Sequence, residues 1–285
     1  MSNALAIFVR LVRTLILLFL VAVGTILLVR FAPGYFADAR EMDVKYAQGA
    51  RSEVHAEETR EASVSSVASS AFGGWLHGDL GQSRQYEVPV SDLIRPRLRV
   101  TAALLAHGIG YGWLLALCAA LPLSTIRSRT TLFGAPFTIL LAIPTGAMAT
   151  LCLLSNRGGP VLVLTLVLAA RDFKFLDRVL RVAWTAPHLL QARAQGLRLH
   201  QLVHRHVMPN ILPNLLALAT LSLVTALSAL VPLEVIFDVP GVGQLAWAAA
   251  MNRDLPVLLA ITLIMATAVA CAGLVSQQVR YVETA

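Results

Sequence analysis

A chain of 285 residues with 57% apolar and 14% charged side chains and a mean hydropathy of +0.70 lies far from the roughly 25% charge of a soluble domain. Its net charge of +7 would suit a nucleic-acid binder only if the basic residues formed one patch. They are instead distributed by side of the membrane, as shown below, and no nucleic-acid partner is expected.

The elements follow from the distance between charges, since a bilayer core needs about 20 mostly apolar residues per helix. Residues 11–31 carry only Arg13 and Arg30, near the ends, where long side chains snorkel to the headgroups, and make a first span. A secretory leader is the alternative for this basic-then-apolar start, but no A-x-A-like cleavage site follows it. The stretches between Arg99 and Arg127, Arg129 and Arg157, Arg205 and Glu234, and Asp254 and Arg280 contain no Asp, Glu, Lys or Arg. Residues 158–170 are short alone and are expected to span by continuing through Arg171, Asp172 and Lys174, with those charges in the interface. The reading is an all-α integral membrane protein of about six transmembrane helices. Cys118, Cys152 and Cys271 each fall inside a span without CxxC spacing, which supports neither a disulfide framework nor a zinc site and makes them small packing residues.

Basic residues in short loops mark the cytoplasmic side. Residues 171–205 hold seven, namely Arg171, Lys174, Arg178, Arg181, Arg193, Arg198 and Arg205, against Asp172 and Asp177. That segment is expected in the cytoplasm together with both termini, while residues 34–99, with ten acids against eight basic residues, fall outside. The organisation is therefore residues 1–33 as the N-terminal end and first span, 34–99 as an extracytoplasmic segment, and 100–282 as a transmembrane domain with a cytoplasmic loop at 185–210. Residues 51–70, rich in Glu, Ser, Ala and Val, suit either an exposed amphipathic helix or a disordered stretch.

Inside the basic connection, Gln191-Ala-Arg-Ala-Gln-Gly196 is followed by nine residues and then His206-Val-Met-Pro209-Asn210. The layout predicts a short helix, a stop at Gly196 where a left-handed residue is wanted, and a second helix with an apolar stripe of Leu199, Leu202 and Val203. Pro209 stands where the chain enters the next span.

This segment resembles the EAA loop of ABC importer permeases, E-A-A-x3-G-x9-I-x-L-P, with Ala192, Gly196, Met208 and Pro209 in register. It is closer still to the peptide-permease form, A-R-A-x-G-L followed by R-H-x-x-x-N, matched by residues 192–197 and by Arg205, His206 and Asn210. Further landmarks come in family order: Arg30-Phe-Ala-Pro-Gly34, Gly78-Asp-Leu-Gly-Gln-Ser83, residues 90–101, Phe237-Asp-Val-Pro-Gly-Val-Gly243 and Arg253-Asp254-Leu-Pro256. Most of the chain except about 131–175 is covered. The resemblance implies a type I ABC importer permease of the dipeptide/oligopeptide/nickel class. It also implies a second homologous permease, two ABC ATPase subunits below, an extracytoplasmic solute-binding protein above, and residence in the bacterial inner membrane.

On that resemblance Gln191, Ala192, Gly196, Leu197, His206 and Pro209 couple the chain to the ATPase, and peptides are the expected cargo, with nickel or another small solute the alternative. Two departures stand out. Gln191 occupies the acidic position of the loop, and an amide cannot pair with a base as a carboxylate does. The region 131–175 is shorter than in relatives, which leaves a degenerate, non-transporting subunit as a further alternative.

No catalytic residue and no cofactor are expected. The chain has no G-x-x-x-x-G-K-[ST], so ATP belongs to the partner subunits, and Gly241 and Gly243 read as a turn on the outer side. His200 and His204 have i, i+4 spacing, yet the sequence between them lacks the Glu of a zincin; with His188 and His206 they read as solvated or interfacial. Ser222, Thr225 and Ser228 have no triad partners and suit close helix packing. Asn210 and Asn214 are expected to point inward or to the interface. The topology predicts that a cysteine placed at Glu57 reacts with an impermeant maleimide on intact cells and that one at Arg198 does not; the reverse labelling would refute it.

Overall fold

The computed structural model describes residues 3–31, 74, 79–125 and 130–284. Among them the chain is all helical, with one isolated bridge, Gln82 to Pro89, and no strand. The elements are α1 (Asn3–Phe31), α2 (Val90–Thr125), α3 (Thr130–Ala142), α4 (Thr145–Leu154), α5 (Pro160–Trp184), α6 (Pro187–Ala194), α7 (Leu199–Leu202), α8 (Met208–Ile236), α9 (Val242–Met251) and α10 (Leu255–Thr284). A π turn, Val203–Val207, joins α7 to α8. The segment at 51–70, whose conformation the sequence left open, lies outside the described residues.

Four described helices are long and apolar enough to cross a membrane, at Phe8–Leu28, Val90–Ser124, Leu199–Ile236 and Leu255–Ser276. The stretch between Arg129 and Arg157 is not one straight helix: Gly134–Ala142 and Thr145–Leu154 meet at 96° and count as a fifth crossing only if taken together. Pro144 accounts for the break. It lacks an N–H, and its ring disfavours α geometry in Ile143 before it, so Pro144 turns to ψ 139° and caps α4. The remaining segment, α5, runs 25 residues through its charges as expected, although its polar half keeps it from passing on apolarity alone.

The chain divides into two compact units, Met1–Arg99 with Gln244–Ala268, and Val100–Gly243 with Val269–Ala285. In the first, α1 leaves Phe8, Leu11, Leu15, Ile16, Phe19 and Leu20 exposed, as suits a surface that meets lipid tails. The second is organised around α5 and α8. One apolar cluster gathers Phe173, Leu176, Leu180 and Trp184 of α5 with Ile211, Leu215 and Leu218 of α8. The other gathers Val163, Leu164 and Leu168 of α5 with Ala226, Ala229, Leu230 and Leu233 of α8 and Leu104 of α2. The pairing of early α5 with late α8 makes the two helices antiparallel.

Helix α2 approaches α5 through glycine. A Cβ on Gly112 would lie 3.0 Å from Leu168 Cβ and 3.4 Å from the Thr165 carbonyl, and one on Gly108 would run into the Leu164 side chain. Glycines four apart on one helix face let membrane helices pack without a hydrophobic drive between them. Cys118 and Cys271 are exposed and Cys152 is half-buried, so two of the three cysteines do not serve as packing residues within this chain. Gly108→Leu should lower the stability of the detergent-solubilised subunit by about 1–3 kcal/mol, seen as a lower melting temperature. Gly110→Leu, at a site with nothing within 4 Å, should leave it unchanged.

Candidate functional site

The segment between α5 and α8 is built as a folded bracket. Helix α6 stops because Gly196 takes φ +77°, and the Leu197 N–H then reaches the Ala192 carbonyl at 3.5 Å, the wrap of a Schellman end. The chain reverses into α7, where the Arg198 N–H is accepted by Gln201 Oε1 at 3.1 Å. Next comes the π turn, whose Met208 N–H reaches back to Val203 O. Pro209 explains it: proline has no N–H and its ring crowds the carbonyl four residues earlier, and a widened turn relieves both.

One face of the bracket is held to the core and the other is open. Leu189, Ala192, Leu202 and Val207 are buried in the α5–α8 cluster, with Leu197 and Val203 packed against it. Gln191, Gly196, His200, His204, Arg205 and Pro209 are exposed, and His206 is half-buried. Leu199, expected in the apolar stripe, is instead 57% exposed and belongs to the open face. Of the six residues singled out in the sequence, Ala192 and Leu197 therefore brace the segment, while Gln191, Gly196 and Pro209 present it. Among the described residues no three His, Cys, Asp or Glu come together as a metal site. Asn210 is exposed in the first turn of α8 and Asn214 is half-buried one turn on.

A second polar feature went unread in the sequence. Arg171 and Asp172, assigned above to the interface, sit inside the bundle, with Asp172 fully buried. Arg171 Nη2 donates to Asp172 Oδ1 at 2.8 Å, and its Nη1 donates to the Leu221 carbonyl at 2.8 Å. Ser222 Oγ donates to Asp172 Oδ2 at 2.8 Å and accepts from Trp113 Nε1 of α2 at 3.0 Å. The interface reading fails because α5 is surrounded by α2, α3 and α8 over this turn, so water is replaced by a complete set of protein partners. Ser222 is thus a polar tie and not a packing gap. Thr225 and Ser228 donate to the Leu221 and Val224 carbonyls of their own helix.

The glycine-rich turn after α8 encloses a carboxylate. Glu234 is fully buried, Thr101 Oγ1 donates to its Oε1 at 2.7 Å, and the Gly243 N–H donates to Oε2 at 2.6 Å. The Val242 N–H donates to Thr101 Oγ1 at 2.8 Å and closes the ring. A Cβ on Gly241 would collide with the Glu234 carboxylate, which gives this glycine its reason.

In the other unit, two motifs far apart in sequence converge. Ser83 Oγ donates to Asp254 Oδ2, the Gln85 N–H donates to the same oxygen at 3.2 Å, and the Tyr86 N–H donates to Ser83 Oγ at 3.0 Å. Gly81, at φ +80°, lies against Pro256. The residues 82–89 are thereby fixed over the start of α10.

The fold is shared with a structure described as inward-facing conformations of the MetNI methionine ABC transporter, at TM-score 0.56 and 17% identity over 66% of this chain and 94% of that one. Residues 108–282 match the family described as binding-protein-dependent transport system inner membrane component, and the chain belongs to that family. The oligopeptide transport system permease protein AppB of Bacillus subtilis (strain 168) is 26% identical over 239 residues, 72% of this chain and 74% of that protein. OppB, an oligopeptide transport system permease protein of Escherichia coli (strain K12), is 24% identical over 66% of this chain and 69% of its own. NikB, a nickel import system permease protein of Staphylococcus aureus (strain bovine RF122 / ET3-1), is 24% identical over 87% of this chain and 81% of its own. The chain is a multi-pass inner-membrane permease subunit of the ABC importer type and not itself an enzyme; membership implies an ATPase and a binding protein as partners.

The Asp172 tie generates a stability prediction. Asp172→Ala leaves the Arg171 head group, 20% exposed, without its carboxylate and should cost about 3 kcal/mol in detergent-based unfolding. Arg171→Met with Asp172→Leu removes both charges and should recover most of that loss. Equal destabilisation by the single and double variants would show that shape, not charge, is what matters there.

Proposed function

We propose that this subunit pairs with a second, homologous permease to form the translocation path for di- or oligopeptides delivered by a solute-binding protein. The bracket at residues 185–210 receives the stroke of one of two ATPases. Both termini and the bracket lie in the cytoplasm on this reading, supported by the six basic residues from Lys174 to Arg205 that remain when Arg171 is set aside as part of the buried tie. ATP stays on the partner subunits, and this chain needs no cofactor.

The observation that carries the coupling role is the division of the bracket into a braced and an open face. A push on exposed Gln191, Gly196, Leu199 or Pro209 passes through Ala192, Leu197 and Leu202 into the core of α5 and α8. With Leu190 and Gln191 at the head of the loop and no carboxylate at either position, the contact to the ATPase rests on shape and hydrogen bonds and not on a carboxylate pair. Peptide cargo is supported by the AppB and OppB similarity. Nickel is the second reading, favoured by the longer 87% coverage of the NikB match.

Gly196 provides the test. Nothing lies within 4 Å of a Cβ built there, so a substitution acts through backbone strain at φ +77°, about 1 kcal/mol or more, and through whatever it presents to the partner. Gly196→Asp should insert normally, lose ATPase co-purification and abolish uptake in reconstituted vesicles, whereas Gly196→Asn, which tolerates the left-handed region and adds no charge, should keep part of both. Normal docking and uptake in Gly196→Asp would remove the bracket as the energy handle.

A further inference from the structure

A cleft of about 470 Å³ opens between α3 and α5, lined by Gly134, Thr138, Phe173, Lys174, Asp177, Arg178 and Arg181. Its size falls within the ~300–1,000 Å³ range of small-molecule sites. Three cations face one acid. Arg181 Nε donates to Asp177 Oδ2 at 2.9 Å, which uses only part of the pair. Arg181 Nη2 and Asp177 Oδ1 are buried atoms with no hydrogen-bond partner among the described residues. A buried guanidinium N–H and a buried carboxylate oxygen left without partners are costly, and the two residues that carry them both line the cleft.

The lining is chemically divided. Phe173 stacks on Phe137 of α3 with ring centroids 4.1 Å apart, giving the cleft an apolar inner wall. Lys174, half-buried, and Arg178, exposed, sit at its mouth on the turns of α5 that follow the apolar run. Cations beside an apolar wall between two helices of a membrane protein match an anionic headgroup attached to a hydrocarbon chain. Asp177 refines this: its partnerless Oδ1 repels a bare anion but accepts a hydrogen from a hydroxyl.

We propose that this cleft binds an anionic phospholipid whose headgroup carries a hydroxyl, such as phosphatidylglycerol. Lys174 and Arg178 hold the phosphodiester, the acyl chain lies along Phe173, and a turn of the Arg181 and Asp177 side chains into the cleft brings Nη2 to the phosphodiester and Oδ1 to the headgroup hydroxyl, which donates to it. Glycine at 134, whose Cβ position lies 3.7 Å from Phe173 Cε1, keeps the wall of α3 flat there.

The test uses the full chain with its partner subunits in nanodiscs of mixed phosphatidylcholine and phosphatidylglycerol, with co-retained lipid counted by native mass spectrometry. Phosphatidylglycerol should be retained about tenfold or more over its bulk fraction, the scale of one charge-assisted hydrogen bond. Lys174→Gln with Arg178→Gln should return retention to the bulk fraction, and so should Thr138→Trp, which fills the cleft and keeps its charges. Arg157→Gln should change nothing, and a melt in pure phosphatidylcholine confirms that each variant is folded. Phosphatidic acid, which lacks the headgroup hydroxyl, should be retained less; equal retention would overturn the role of Asp177. Retention unchanged in the cleft variants overturns the site. Loss of bound phosphatidylglycerol on adding inorganic phosphate assigns the cleft to a soluble anion instead. Loss of ATPase co-purification with lipid retention intact would make it a subunit contact and overturn the lipid assignment. Neither lipid outcome bears on the coupling bracket, which Gly196→Asp tests separately.

Discussion

The fully buried Asp172 carboxylate sets the frame for the larger unit. Backbone and side-chain polar groups within a bilayer must find partners inside the protein, and Asp172 finds Arg171 beside it and Ser222 across the α5–α8 seam. Below it on α5 the apolar cluster begins at Phe173, and above it the other ends at Leu168. On α8 the same division falls between Leu218 and Ala226, around Ser222. One ionic tie therefore separates two apolar layers and fixes how α5 and α8 slide on each other, since a shift of either helix would break hydrogen bonds that nothing else nearby can replace. The bracket is the connection between those two helices, so its position is determined at both ends by this seam.

Glu234 and Asp254 repeat the device at smaller scale. Each is a fully buried acid that accepts a hydrogen bond from a backbone N–H and another from a hydroxyl. In both cases the acid organises a turn: residues 237–243 fold over Glu234, and residues 82–89 fold against Asp254. Charges that are costly in a membrane protein are here spent on shaping irregular segments, where helix hydrogen bonds are lacking.

How much of this the sequence discloses depends on which physical signal was present. Spans around Leu104, Leu218 and Leu259 were legible because charge-free length is the membrane signal itself. The end of α6 was legible because only a residue tolerant of positive φ fits at 196. The bend at Pro144 was a local proline signal overshadowed by the apolar length around it. Asp172 was misplaced because a charge after a short apolar run looks the same whether the helix is leaving the membrane or entering a sealed bundle; Ser222, fifty residues on, decides it, and no spacing rule links them. The convergence of Ser83 with Asp254 is likewise a tertiary fact, although both lay in motifs that the family resemblance had marked.

The π turn has a consequence for the numbering of the buried face. Along the helix from Leu202 the core-facing residues are Leu202, Val207, Ile211, Leu215 and Leu218, and the first step is five residues where the others are four or three. A periodicity of 3.6 carried through this point places the wrong side chains inward. The widened turn takes up one extra residue and leaves the helices on either side in phase. Chain length at this joint is therefore separable from the direction in which the bracket faces, so the loop and the span can drift in sequence length relative to one another while the surface offered to a partner keeps its aim.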